Sequence, residues 1–193
     1  DLQREGGGNL TEEQMLRGRE AYFACVDFVD DCMGELINGL ERYGLLENTI
    51  VIYTSDHGEM AGMHGLWGKT IYYEESAGVP LLVSGPGIRP GTHTIDDPIS
   101  LMDLYPTTCR LAQLSVPDGL DGVDFSPMLT DPESTCSPRK YAPSAYYAYG
   151  VRVGTLDPER EEIPCRAMRM IRERDWKYID IEKGEPLLFD MVN

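Results

Sequence analysis

Asp56 and His57 stand side by side in the run Thr54-Ser55-Asp56-His57-Gly58-Glu59, and Lys69 follows directly after Gly68. A carboxylate beside an imidazole offers one oxygen and one nitrogen donor to a divalent cation. Lys69 adds a point positive charge of the kind that binds an anionic ester. Gly58, Gly62, Gly65 and Gly68 let the chain between them fold tightly. The apolar, β-branched stretch Ile50-Val51-Ile52-Tyr53 comes just before the pair and reads as a buried strand. Open α/β sheets place their ligand sites beyond the C-terminal ends of such strands.

The elements that must hold these groups follow from periodicity. Thr11 as N-cap with Gln14 three residues on is a capping box, and it opens a helix. Tyr22, Val26, Val29, Met33, Leu36, Ile37 and Leu40 recur at steps of three and four and define one face, expected to be buried. Gly44 is the expected stop. A strand is expected at 49–53, a short helix at 72–77 and a second strand at 79–83, ended by Gly85-Pro86-Gly87. Residues 98–114 read as a helix capped by Ser100, with a kink or restart at Pro106. The segment 117–143 is rich in turn residues. Short strands are then expected at 144–149, 167–172, 176–181 and 187–190, with a hairpin turn at Glu173-Arg174-Asp175.

Composition narrows the function classes. The 193 residues are 41% hydrophobic and 26% charged, in the range of a globular protein with a real core. A formal charge of −16 excludes a basic surface for nucleic acid. No apolar run approaches the roughly 20 residues of a membrane span. Five cysteines are scattered with no C-x-x-C pair, which argues against a structural zinc site. Cys25 and Cys32 share a side of the first helix, two turns apart, too far to bridge. Nothing at the N-terminus reads as a signal peptide, and localisation is left open.

The ordered series Thr54-Ser55-Asp56-His57-Gly58-Glu59, Gly62, His64-Gly65, Trp67, Lys69, Tyr73-Glu74, Val79-Pro80-Leu81, Gly85-Pro86-Gly87 and Asp103-Leu104-Tyr105-Pro106-Thr107 resembles the sulfatase family, part of the alkaline phosphatase superfamily. Asp175-Trp176-Lys177-Tyr178-Ile179 and Leu188-Phe189-Asp190 extend the resemblance toward the end of the chain. It implies an α/β fold: part of an alkaline-phosphatase-like sheet flanked by helices, then a small antiparallel C-terminal sheet. The implied organisation is a flexible lead-in over 1–10, the C-terminal part of the sulfatase α/β domain over 11–130, and a truncated antiparallel subdomain over 131–193.

The resemblance also implies a sulfuric ester hydrolase. Asp56 and His57 would bind a divalent cation, usually calcium, with manganese or another divalent ion open, because imidazole suits metals softer than calcium. Lys69 would contact the sulfate as a catalytic and substrate-binding residue, and His64 would contact substrate or brace the loop. The family's nucleophile, a formylglycine made from a Cys/Ser-x-Pro-x-Arg signature, has no match ahead of Asp56. Cys136-Ser137-Pro138-Arg139 is a near miss with its Arg one place early. Asp30-Asp31 imitates the family's acidic ligand pair but lies inside the first helix. The chain therefore reads as the C-terminal half of a sulfatase, inactive alone, with a sulfate-ester small molecule or sugar as substrate.

Two alternatives stand beside it: a phosphonate or phosphate monoester hydrolase of the same superfamily, and a non-catalytic binding domain. An incomplete sheet would expose an edge and an apolar face, so a homo-oligomer is expected. Trp67, Tyr72 and Tyr73 read as packing residues and Asp103 as facing solvent or a neighbouring loop. Arg166, Arg169, Arg172 and Arg174 read as ordinary charges on strand surfaces.

Overall fold

A computed structural model of the chain describes residues 10–69, 71–131, 134, 139–147 and 167–192. Contacts divide the chain into two compact units, 1–90 and 91–193. The lead-in over 1–9, Cys136 to Pro138 of the near-miss signature, Cys165 and Arg166 lie outside the described residues.

The first unit is built on α1, Glu12–Arg42. The capping box forms as its sequence predicts: Gln14 N donates to Thr11 Oγ1 at 3.2 Å, and Thr11 N donates to Gln14 Oε1 at 2.8 Å. At the other end Gly44 adopts φ +65. Gly44 N donates to the Glu41 carbonyl and Leu45 N to the Leu40 carbonyl, the paired bonds of a Schellman stop. Strand β1, Val51–Thr54, pairs antiparallel with β2, Leu81–Ser84, and the short helix α2, Glu74–Ala77, lies between them in sequence.

Two expectations are corrected here. The apolar stripe of α1 is not buried: no residue of the helix is, and Tyr22, Val26, Val29 and Leu36 are all exposed. Length gives the reason. A 31-residue helix runs about 46 Å, whereas four-residue strands run about 14 Å and cover only a fraction of it. Val26 and Met33 do meet Val51, Tyr53, Leu82 and Val83 across a shallow groove. For the same reason β1 is half-buried along its length rather than buried.

In the second unit Ser100 caps a single 3₁₀ turn over Leu101–Asp103, and α3, Leu104–Leu111, begins at once. Pro106 thus falls in the first turn of α3, where its missing N–H has no partner to lose, so the helix restarts instead of breaking. Helix α4, Ser126–Thr130, follows, and Phe125 N donates to the buried Thr107 Oγ1 at 3.0 Å. Strands β3 (Ala142–Tyr147), β4 (Ala167–Arg172), β5 (Trp176–Ile181) and β6 (Leu187–Asp190) form an antiparallel meander in chain order. Glu173 N donates to the Trp176 carbonyl and closes the expected hairpin. Met168, Met170, Lys177 and Ile179 point into the covered face. Lys177 Nζ lies 5.6 Å from the Phe189 ring centroid, so its stem is packed while its charge meets an aromatic face.

Of the two expectations for Asp103, solvent is corrected and the neighbouring loop holds: it is fully buried and meets the turn at Val123. Arg139 grips it with two bonds, Nε to Oδ2 at 3.0 Å and Nη2 to Oδ1 at 2.6 Å. Ser100 N and Val123 N donate to the same two oxygens. Arg139 Nη2 also donates to the Asp121 carbonyl at 2.8 Å. A carboxylate that accepts four hydrogen bonds, two of them from one bidentate guanidinium, is satisfied well enough to be buried.

Candidate functional site

The site grows from the end of β1. Leaving Thr54, the chain turns sharply: Ser55 Oγ donates to the His57 carbonyl at 2.8 Å, and His57 N donates to Asp56 Oδ1 at 3.0 Å. Gly58 N then donates to the Ser76 carbonyl, docking the loop on α2. A side chain at Gly58 would not fit, since a Cβ there would lie 2.0 Å from the Glu75 carbonyl oxygen. That close approach, and no unusual backbone angle, accounts for glycine directly after the Asp-His pair.

The rest of the loop is closed by its own backbone and by two charged side chains. Met60 N donates to the Gly68 carbonyl, Gly62 N to the Leu66 carbonyl, and Met60 is wholly buried beneath them. Glu59 Oε1 accepts from Ala61 N at 3.1 Å and from Gly68 N at 2.6 Å. From α1, Arg19 Nε donates to the Ala61 carbonyl at 2.7 Å. Trp67 lies against Gly18 of the same helix, where a Cβ would come within 2.5 Å of the indole. Glu59 and Arg19 escaped the sequence reading. Glu59 had a usable signal, a carboxylate inside a glycine-rich turn with free amides to bind. Arg19 had none, because its partner lies 42 residues away.

The sequence-predicted site residues come together in part. Lys69 Nζ is 2.6 Å from His57 Nε2, and Asp56 Oδ2 is 3.6 Å from the same nitrogen. His57 Nδ1 is 2.8 Å from the Gly58 carbonyl oxygen. A carbonyl only accepts, so Nδ1 carries the proton and Nε2 presents its lone pair. His64 stands apart from this group. Its ring stacks on Tyr73 at 4.3 Å with planes 21° apart, its Nε2 is 4.0 Å from Glu75 Oε1, and its backbone takes the left-handed φ of +53. Trp67 and Tyr73 pack, as expected.

The donor set fits part of a cation's shell. Asp56 is open to solvent, and His57 offers the ring nitrogen that a metal uses. Fixing one ring nitrogen on a backbone carbonyl is how metal-binding histidines are oriented. Two ligands are far from the six to eight that calcium takes. Among the described residues no cluster of three or more His, Cys, Asp or Glu could hold a metal ion. Among the same residues no helix is long and apolar enough to cross a membrane.

A sulfatase family model matches residues 3–114, and a second, described as N-sulphoglucosamine sulphohydrolase, C-terminal, matches residues 62–183. Choline-sulfatase from Rhizobium meliloti is 39% identical over 188 residues, covering 95% of this chain and 33% of that protein. Arylsulfatase K from Gallus gallus is 34% identical over 192 residues, again 95% of this chain and 33% of that protein. Among solved structures, the phosphonate monoester hydrolase of Silicibacter pomeroyi superposes with a TM-score of 0.80 at 28% identity, over 96% of this chain and 37% of that one. The chain spans about a third of the length of the curated relatives it matches.

Proposed function

The chain belongs to the sulfatase family of the alkaline phosphatase superfamily, whose members generally use a divalent metal, and on that premise we propose that it carries half of the cation and sulfate site of a sulfuric ester hydrolase. The observation that carries this reading is the convergence of Asp56, His57 and Lys69 at the end of β1. Asp56 and His57 would hold the cation, which is calcium in this reading, with manganese or another divalent ion as the alternative. The cation would neutralise charge on the ester's oxygens. Lys69 binds and orients the anionic group, and His64, whose ring stacks on Tyr73, would be a second contact to substrate. The α/β part over 11–130 and the antiparallel part over 131–193 belong to the same reading, as does a formylglycine nucleophile supplied from outside this chain.

Hydrolysis of phosphonate or phosphate monoesters is the second reading, favoured by the superposition on the phosphonate monoester hydrolase. Sulfate and phosphonate groups are both tetrahedral anions, so one cation and one lysine serve either. Paired aryl sulfate and aryl phosphonate substrates test both readings. The 193-residue chain by itself is expected to turn over neither, because two ligands cannot organise a cation for catalysis. The assembled enzyme, with the remaining ligands supplied, is expected to favour the sulfate. Turnover by the chain alone that is lost in Asp56→Ala would refute the half-site reading. A preference for the phosphonate would move the assignment to the second. The exposed apolar side chains of α1, Phe23 and Phe28 above all, support a further part of the proposal, self-association with a second copy.

A further inference from the structure

Left-handed backbone costs energy in a residue with a Cβ, and it persists only where the surroundings impose it. The turn that leads into Lys69 holds two such residues: Ala61 has φ +47 and His64 has φ +53. What keeps them there comes from one place on α1. Arg19 Nε donates to the carbonyl of Ala61 at 2.7 Å, and Arg19 Nη2 lies 3.9 Å from Met63 Sδ. One residue earlier, the backbone of Gly18 meets the Trp67 indole so closely that a Cβ would come within 2.5 Å of it. The helix thus grips the turn at both ends, at Ala61 and at Trp67.

We propose that Arg19 is a positioning residue for Lys69: its bond to the Ala61 carbonyl keeps the 61–68 turn in its left-handed form and so sets where the Lys69 ammonium stands. The inference rests on reading Lys69 as the residue that binds the ester's anionic group. The path from Arg19 to Lys69 is short. Glu59 Oε1 accepts from Ala61 N at 3.1 Å and from Gly68 N at 2.6 Å, so the two ends of the turn share one carboxylate. Gly68 stands directly before Lys69, and its carbonyl accepts from Met60 N at 2.9 Å. Released from Arg19, Ala61 relaxes toward negative φ, the range an L-residue prefers. Its N–H then swings off Glu59, and the Gly68 end of the turn moves with that carboxylate.

Side-chain length makes the test sharp. A glutamine amide nitrogen stands as many bonds from the backbone as arginine Nε and still donates, whereas a methionine methyl stands there and does not. In the 193-residue chain, well below its unfolding midpoint, the backbone ¹³C shifts of Ala61 and His64 are expected to leave the left-handed range in Arg19→Met and to keep it in Arg19→Gln. In the assembled enzyme, kcat/KM for an aryl sulfate is expected to fall about a hundredfold in Arg19→Met, the scale of a catalytic group misplaced by about 1 Å, and to recover in Arg19→Gln. In a Lys69→Met background Arg19→Met is expected to cost nothing further, because the group it positions is gone. Unchanged shifts in Arg19→Met overturn the hold on the turn. Shifted backbone with kcat/KM intact overturns the link from the turn to Lys69. Equal losses in Arg19→Met and Arg19→Gln, or a loss as large in the Lys69→Met background as in the parent, show a merely structural role and overturn the positioning. A parent enzyme that turns over neither aryl sulfate nor aryl phosphonate overturns the half-site reading itself, and the role toward Lys69 with it.

Discussion

Asp103 is the residue at which burial and charge are most closely balanced. It is completely enclosed, its guanidinium partner Arg139 is 12% exposed, and the pair joins the start of α3, the 121–123 turn and the approach to β3. Removing one member leaves the other charged and enclosed, which costs far more than removing both. Asp103→Asn is expected to lower unfolding free energy by about 3–5 kcal/mol in urea titrations. The double variant Asp103→Asn, Arg139→Met should cost less than the sum of the singles, with a coupling of about 1–3 kcal/mol. Additive losses would mean that the two side chains merely sit together. Sequence could not reveal this pair. An aspartate three residues after a capping serine looks like a helix-start carboxylate, and Arg139 follows Cys136-Ser137-Pro138 with nothing to connect it to a position 36 residues earlier. Asp56 and His57 stand out as a candidate pair for the opposite reason. Its spacing, the strand before it and the glycines after it are all local.

At the scale of elements, legibility follows sequence distance too. The capping box and Schellman stop of α1, the restart at Pro106 and the β4–β5 hairpin are each set by neighbours within a few residues, and each forms where the sequence places it. What α1 packs against is not local, and there the expectation of a buried face failed. The loop between β1 and α2 shows how an element can be held by one side chain. Glu59 satisfies two amides, one at each end of the turn that carries His64, and so fixes where Lys69 begins. Glu59→Ala is expected to destabilise the first unit by about 1–3 kcal/mol by leaving those amides without an acceptor. Hydrogen exchange should accelerate at Ala61 and Gly68 above all. Unchanged exchange at both amides would show that the backbone bonds from Met60 and Gly62 hold the loop unaided. Gly58→Ala makes the complementary prediction. Its methyl group must push the Glu75 carbonyl away, so urea titration should find a loss of about 1–3 kcal/mol.

Across the whole molecule two forces oppose each other. Phe23 and Phe28 of α1 are 60% and 67% exposed, and Ile171, Tyr178 and Leu188 stand opposite one another in register on the open face of the C-terminal sheet. Apolar area of this kind favours association. The formal charge of −16 opposes it, since each copy repels the next. Salt decides between them, because screening shortens the reach of repulsion from about 30 Å at 0.01 M to about 8 Å at 0.15 M and leaves the apolar attraction intact. Sedimentation velocity should therefore find weight-average mass rising with sodium chloride over this range, the reverse of an assembly held by ion pairs. Phe23→Ser with Phe28→Ser should hold the chain monomeric across the series, with no loss of helix content because neither ring packs in the core. A parent chain that stays monomeric at every salt concentration would sink the second-copy reading. A double variant that still associates would move the contact from α1 to the open face of the C-terminal sheet, where Tyr178→Ser is the next substitution to test.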